Sequence, residues 1–179
     1  MLFKESTVFL IIDVQEKITK VMGNKQQLLD KLHRLIRGMQ ILEIPTLVTE
    51  QYPKGLGPTI EMITQLLPDV SPMEKQVFNC CDDPTFMKTL DATGCKNVIV
   101  SGIETHVCVY QTVSHLLDAN YHVEVVADAV DSRHPLDKEV GLKKMQSGGA
   151  ELTTVEMVLF ELQRIAQGDQ FKQISQVIK

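Results

Sequence analysis

The sequence predicts a three-layer α/β/α domain built on a parallel sheet. Two observations carry this. Short apolar runs recur along the chain, the first being Val8-Phe9-Leu10-Ile11-Ile12, and they are continuous, as strands buried on both faces require. Between them lie longer stretches with helical spacing. Repeated strand–helix–strand units imply parallel pairing through right-handed crossovers, with helices covering both faces of the sheet. No internal repeat, low-complexity stretch or linker interrupts the pattern, so residues 1–179 read as one domain.

The elements follow in order. Val8–Ile12 is the first strand. Leu28, Leu32, Leu35, Ile36, Met39 and Leu42 recur on one face of a helix that Pro45 closes. Thr46–Thr49 is a second strand, and Gly55, Gly57 and Pro58 mark a loop. Ile60–Leu67 is a short helix ending before Pro68, and Gln76-Val77-Phe78 is the candidate for a third strand. Asp82 or Asp83 caps a helix that has Pro84 at its first position and Gly94 as its stop. Asn97–Ser101 is a strand, followed by a helical pattern through Val109, Val113, Leu116 and Leu117. His122–Val126 is the next strand, Pro135–Gln146 a helix stopped by Ser147-Gly148-Gly149, and Ala150–Thr153 an edge strand. A helix over Thr154–Ala166 and an amphipathic helix after Gly168 complete the chain.

Composition narrows the function classes. Apolar residues at 44% and charged residues at 23% give an ordinary globular balance, enough for a sizeable core. The net charge is -5, from 18 basic and 23 acidic residues, and no Lys/Arg tract occurs. That disfavours nucleic acid or an anionic membrane as partner and suits a small-molecule substrate. The N-terminal apolar run lacks a signal-peptide cleavage pattern, and no stretch is long enough to span a bilayer. Cys80, Cys81, Cys95 and Cys108 show no C-x-x-C spacing, so free thiols in a reducing cytoplasm are expected.

In such a sheet, ligands gather outside the carboxyl ends of the strands. That rule selects Asp13, Thr49–Tyr52, the residues after Ser101, and Asp128. Asp13, directly after the first strand, is either a functional carboxylate at the sheet edge or a cap for the following turn. Cys108 falls in the first helical turn after Gly102, where helix N–H groups stabilise a thiolate and an oxyanion. A lone cysteine also reads, and more strongly on position alone, as a small buried hydrophobe. Lys75 is a partner for Asp13 at the sheet edge or a solvated surface lysine. The five histidines, at 33, 106, 115, 122 and 134, form no H-x-H or H-x-x-x-H pair, so no metal is expected.

Four segments, in order, resemble the isochorismatase-like cysteine hydrolase superfamily. Phe9–Gln15 resembles its "LxxIDxQ" opening, and Val98–Val109 its "vvxGixTxxCV" segment. Val125–Ala129, followed by Ser132 and Arg133, resembles its "vvxDA" strand, and Lys75-Gln76-Val77-Phe78 stands where the family has a lysine before an aromatic. The match runs from about Thr7 to Leu162. Thr49–Gly57 is most similar to the isochorismatase domain-containing branch. The resemblance implies a six-stranded parallel, Rossmann-like sheet and a homo-oligomer. It also implies an Asp13–Lys75–Cys108 triad and a cis peptide between Ile103 and Glu104. The N–H groups of Glu104 and Cys108 would form an oxyanion hole.

Gln15, Tyr52, Phe78 and Thr105 are candidates for lining the substrate pocket, though each read singly is a packing or turn residue. Glu50-Gln51-Tyr52 carries no histidine, which disfavours a metal-dependent nicotinamidase, and no cofactor is expected. The expected activity is hydrolysis of a small amide-like carbonyl compound through a thioester on Cys108. On this view Asp13→Asn slows alkylation of Cys108. A catalytically silent scaffold that keeps the fold, and a peroxide-reactive thiol lacking a resolving cysteine at short spacing, remain as alternatives.

Overall fold

The computed structural model describes residues Met1–Lys179. Its strands are β1 (Thr7–Ile12), β2 (Thr46–Gln51), β3 (Met73–Lys75), β4 (Asn97–Ile103), β5 (His122–Asp131) and β6 (Glu151–Thr153). They form one sheet in the order β3-β2-β1-β4-β5-β6, and every pairing is parallel. The helices are α1 (Glu16–Thr19), α2 (Lys25–Ile41), α3 (Pro53–Leu56), α4 (Glu61–Leu66), α5 (Pro84–Ala92), α6 (Tyr110–Asp118), α7 (Pro135–Ser147), α8 (Val155–Gln163) and α9 (Gly168–Ile178). None is long and apolar enough to cross a membrane.

β1 explains the continuous apolar run. Successive side chains of a strand alternate between faces. Phe9 and Ile11 pack with Leu32, Leu35 and Met39 of α2 and with Val158 and Leu159 of α8. Val8, Leu10 and Ile12 meet Phe86 and Leu90 of α5, Val113 and Leu116 of α6, and Met145 of α7. Two separate apolar layers thus sandwich the sheet, and all six residues of β1 are buried.

The strand order reverses between β1 and β4. From β1 the chain leaves toward β2 and β3; from β4 it leaves toward β5 and β6. The crossovers diverge and leave a crevice at the carboxyl ends of these two strands, the place where doubly wound sheets bind ligands. Gly102 sits at that crevice with φ +117°, and a Cβ there would lie 2.1 Å from the Ile12 carbonyl oxygen. Only glycine fits.

Most predicted elements form as expected. Asp83 caps α5, its Oδ1 accepting from the N–H groups of Thr85 and Phe86 at 2.8 and 3.2 Å. Three differences bear on function. The third strand is Met73–Lys75, not Gln76–Phe78. Residues 76–78 bend away instead, because the Lys75 ammonium turns inward and takes the carbonyls of Val77 and Phe78 as acceptors. β5 runs to Asp131, five residues beyond the expected end, with a register shift against β4 between Val100 and Gly102. Asp128 therefore lies inside a strand and not at its carboxyl end: it accepts from the Val155 N–H at 2.9 Å and pairs with Lys31 at 3.1 Å. Finally, α1 and α3 are single turns too short to leave a periodic pattern, and α8 stops at Gln163, where Arg164 turns to φ +57°.

Gly102→Ala is expected to cost about 2–4 kcal/mol, since it forces a left-handed residue and a backbone clash at once. Urea denaturation monitored by circular dichroism measures this; a midpoint unchanged from the natural protein would contradict it.

Candidate active site

The crevice is furnished by three strands. Asp13 follows β1, Lys75 ends β3, and Cys108 follows β4. Asp13 adopts φ +53°, a left-handed conformation that aspartate tolerates better than most residues. Its N–H still continues the ladder to the Thr49 carbonyl at 3.2 Å, so the turn starts without losing a strand hydrogen bond.

Asp13 is fully buried and Lys75 is 3% exposed. Lys75 Nζ lies 2.6 Å from Asp13 Oδ2, and the Thr49 hydroxyl donates to Asp13 Oδ1 at 2.8 Å. The ammonium also donates to Gln51 Oε1 at 2.8 Å and to the carbonyls of Val77 and Phe78 at 3.2 and 3.4 Å. Burial alone would lower the lysine pKa. The Asp13 charge beside it prevails, and the net direction is upward. Lys75 is thus a cation at neutral pH. By linkage, a raised lysine pKa gives stabilisation that is full below the ordinary value of 10.5 and is lost only as pH rises past it.

Cys108 lies in a π turn over Thr105–Val109 that leads into α6. Burial pushes its thiol pKa far up, and the neighbouring Asp13 carboxylate pushes it further, while Lys75 pulls it down. The resting side chain is a neutral thiol facing a carboxylate. Asp13 thus opposes thiolate formation at equilibrium, a direction that runs against the expectation that Asp13→Asn slows alkylation of Cys108.

The Ile103–Glu104 peptide is cis. The Glu104 N–H donates to no backbone carbonyl, as expected of a group at the start of a helical turn. The Glu104 carboxylate is held by Arg133, whose Nε and N–H donate to Oε1 at 2.9 and 3.3 Å.

The other candidates separate. Gln15 is buried and its amide is fully used: Nε2 donates to the Gln51 and Gly57 carbonyls, and Oε1 accepts from the Gln51 N–H. It bolts the loop after β2 to the end of β1. The Tyr52 N–H donates to the Lys75 carbonyl at 3.0 Å and Phe78 follows Lys75 by three residues; they are 48% and 55% exposed, aromatic surface on the loops beside the crevice. Thr105 is buried, with a hydroxyl that has no partner in the protein. His106 Nδ1 sits 3.0 Å from Ser132 Oγ. Glu50 is occupied by Thr59, which donates to it through N–H and hydroxyl at 2.5 and 2.7 Å. No grouping with metal-ligand spacing occurs at the crevice; the one present is His122, Glu124 and Glu151, at the other end of the sheet.

Of three supporting residues, sequence reasoning marked two by position alone and missed the third. Thr49 and Gln51 hold the charged pair, and only their place at the carboxyl end of β2 pointed to them. Cys80 is buried, with Sγ 3.9 Å from Thr49 Oγ1, and is close enough to feel the charges of Lys75 and Asp13. Nothing in its spacing marks it.

Residues 7–157 match the model of the isochorismatase domain. The chain belongs to the isochorismatase family. Isochorismatase domain-containing protein 2A of Mus musculus is 36% identical over 177 residues, covering 98% of this chain and 84% of that protein. A Caenorhabditis elegans protein described as MAR1 ribonuclease is 36% identical, with a TM-score of 0.93 over 99% of this chain and 91% of its own. YcaC of Escherichia coli, described as an octameric hydrolase of unknown specificity, superposes with a TM-score of 0.94 over 99% of this chain and 88% of its own. At 24% identity, that likeness speaks to the fold alone. The isochorismatase domain expected from the four motifs is therefore the one present, on the expected six-stranded sheet.

Lys75→Met strands the buried Asp13 charge and is expected to destabilise the protein by about 3–5 kcal/mol. Adding Asp13→Asn removes that charge and should recover most of the loss. Denaturant titrations of the two single variants and the double variant check the coupling; strict additivity would contradict a functional ion pair.

Proposed function

We propose that the protein is a cysteine-dependent hydrolase of a small amide-like carbonyl compound, acting through a thioester on Cys108. One observation carries this reading: the buried Cys108 thiol shares the crevice with Asp13, a carboxylate that the buried Lys75 holds in place. Membership of the isochorismatase family supports hydrolase chemistry in general.

In the proposed reaction Asp13 takes the Cys108 proton as sulfur bonds to the carbonyl carbon, and the carbonyl π electrons move to oxygen. The N–H groups of Glu104 and Cys108 receive that oxyanion. Collapse re-forms the carbonyl and breaks the C–N bond, and Asp13 gives its proton to the leaving nitrogen. Water then attacks the thioester while Asp13 takes a proton from it. The C–S bond breaks, and the thiol is restored with that proton. Lys75 keeps Asp13 fixed throughout and offsets negative charge at sulfur. Thr105, Tyr52 and Phe78 belong to the pocket in this reading; Gln15 shapes it from behind.

A ribonuclease reading, suggested by the name of the nematode relative, fits the crevice less well. The lysine there is consumed by Asp13, and the chain carries a net charge of -5. The buried free thiols suit a reducing compartment such as the cytoplasm. A homo-oligomer is part of the proposal, since α7 exposes Leu136 and Val140 one turn apart, a surface that a second copy would cover.

Intact-mass spectrometry against a panel of small amides should show an acyl adduct on Cys108 that disappears in Cys108→Ala. No adduct and no turnover across the panel would favour a silent scaffold. RNA cleavage retained by Cys108→Ala would point away from this chemistry altogether.

Asp13→Asn should lower kcat/KM by about 10²–10⁴-fold through loss of the base. The same change removes the charge that opposes the thiolate and leaves Lys75, so iodoacetamide should label Cys108 faster near neutral pH. Peptide mapping reads both rates. Turnover and alkylation falling together would contradict the charge arrangement.

A further inference from the structure

At the amino ends of β5 and β6, away from the crevice, lies a second chemical grouping. His122 and Glu124 are two apart on β5 and share a face, and Glu151 of β6 stands in register beside Glu124. Val126, next on that face, packs into the α2/α8 layer, so the grouping is covered from the α8 side. One ring nitrogen of His122 and one oxygen from each glutamate lie within 4.8 Å of one another.

Glu124 is the unusual member. It is 2% exposed, yet the contact its carboxylate makes is a long one, 3.5 Å to His122 Nε2. A carboxylate can accept about four hydrogen bonds, and a buried one without them carries a large desolvation cost. No lysine or arginine offsets it, for none of the ion pairs ends on Glu124, Glu151 or Glu161 from such a residue. Glu161 of α8 adds a third negative charge close enough to act on Glu124.

We propose that His122, Glu124 and Glu151 bind a divalent first-row transition ion of the zinc class. Zinc ligands stand about 2.0–2.2 Å from the metal, so opposed pairs are at most about 4.4 Å apart, and small side-chain rotations close the present spacing. The imidazole selects against magnesium and calcium, which take oxygen ligands. Three protein ligands and an exposed Glu151 leave a coordination position for water. The ion would tie the edge strand β6 to β5 and cancel the buried charge. The ligands come from two strands, so no local histidine spacing announces them.

The test uses the full chain, stripped with chelator and titrated with zinc chloride by calorimetry and with cobalt(II) by absorption. One zinc per chain is expected, with a cobalt spectrum lacking the intense near-ultraviolet band of sulfur ligation. His122→Ala and Glu151→Gln should each weaken zinc by at least about 100-fold, the upper end of what loss of an outer-shell partner costs. Glu124→Gln should abolish the site while raising the Tm of the metal-free protein, a pairing that simple misfolding cannot produce. The proposal is overturned if zinc fails to bind, if its affinity is unchanged in these variants, or if cobalt shows sulfur ligation.

Discussion

The buried pair between Asp13 and Lys75 is the constraint on which the crevice depends. At 2.6 Å, with an effective dielectric of about 20, the attraction is roughly 6 kcal/mol. Withdrawing two charges from water costs several kcal/mol for each ion, so the pair gains little as a stabilising contact. It persists because further groups share the load: the Thr49 hydroxyl on Asp13, and Gln51 with two backbone carbonyls on Lys75. This need for acceptors shapes the backbone. β3 stops at Lys75 and the chain bends there, since the carbonyls of Val77 and Phe78 must return to the ammonium. A strand continuing to Phe78 would point those carbonyls along the ladder and leave the ammonium short of partners.

The same pair explains why the topology matters. Asp13, Lys75 and Cys108 are far apart in the chain and come from β1, β3 and β4. Only β1 and β4 adjoin directly, and their close approach relies on Gly102. β3 is two strands from β1, so Lys75 must extend across the end of β2 to reach Asp13. β2 supplies Thr49 and Gln51 along that path. The residues that bridge the gap are thus those that hold the charges.

Much of this was legible in the sequence. Continuous apolar runs betrayed strands buried on both faces, and Pro84 after an aspartate pair, with Gly94, marked both ends of α5. Asp13 and Cys108 stood at strand ends where ligands bind, and family resemblance joined them to Lys75. What escaped has physical reasons. Met73-Glu74-Lys75 has little strand character, because a short edge strand is held by backbone pairing to β2 and not by side-chain burial. The extension of β5 past Val126 depends on a register shift against β4, which only a three-dimensional pairing reveals. Gln15 looked like a pocket residue from its motif, yet its amide is spent on backbone groups, an engagement that no linear pattern encodes.

Thiol acidity alone would nominate Cys80 over Cys108. Burial pushes Cys80 up to about 11, and Lys75 tempers that rise; Cys108 is driven higher, because Asp13 adds to burial. Of the two cysteines beside the charged pair, Cys80 is the less strongly raised. A resting thiolate is not what this arrangement favours, however. For a thiol whose charge is opposed by a neighbouring carboxylate, that carboxylate is also the nearest acceptor for its proton. Proton loss then accompanies attack on a substrate and does not precede it. Cys80 directs its sulfur toward Thr49 and is wholly enclosed. The feature that raises the pKa of Cys108 is therefore the one that suits it to the proposed chemistry, while leaving it quiet when no carbonyl is present.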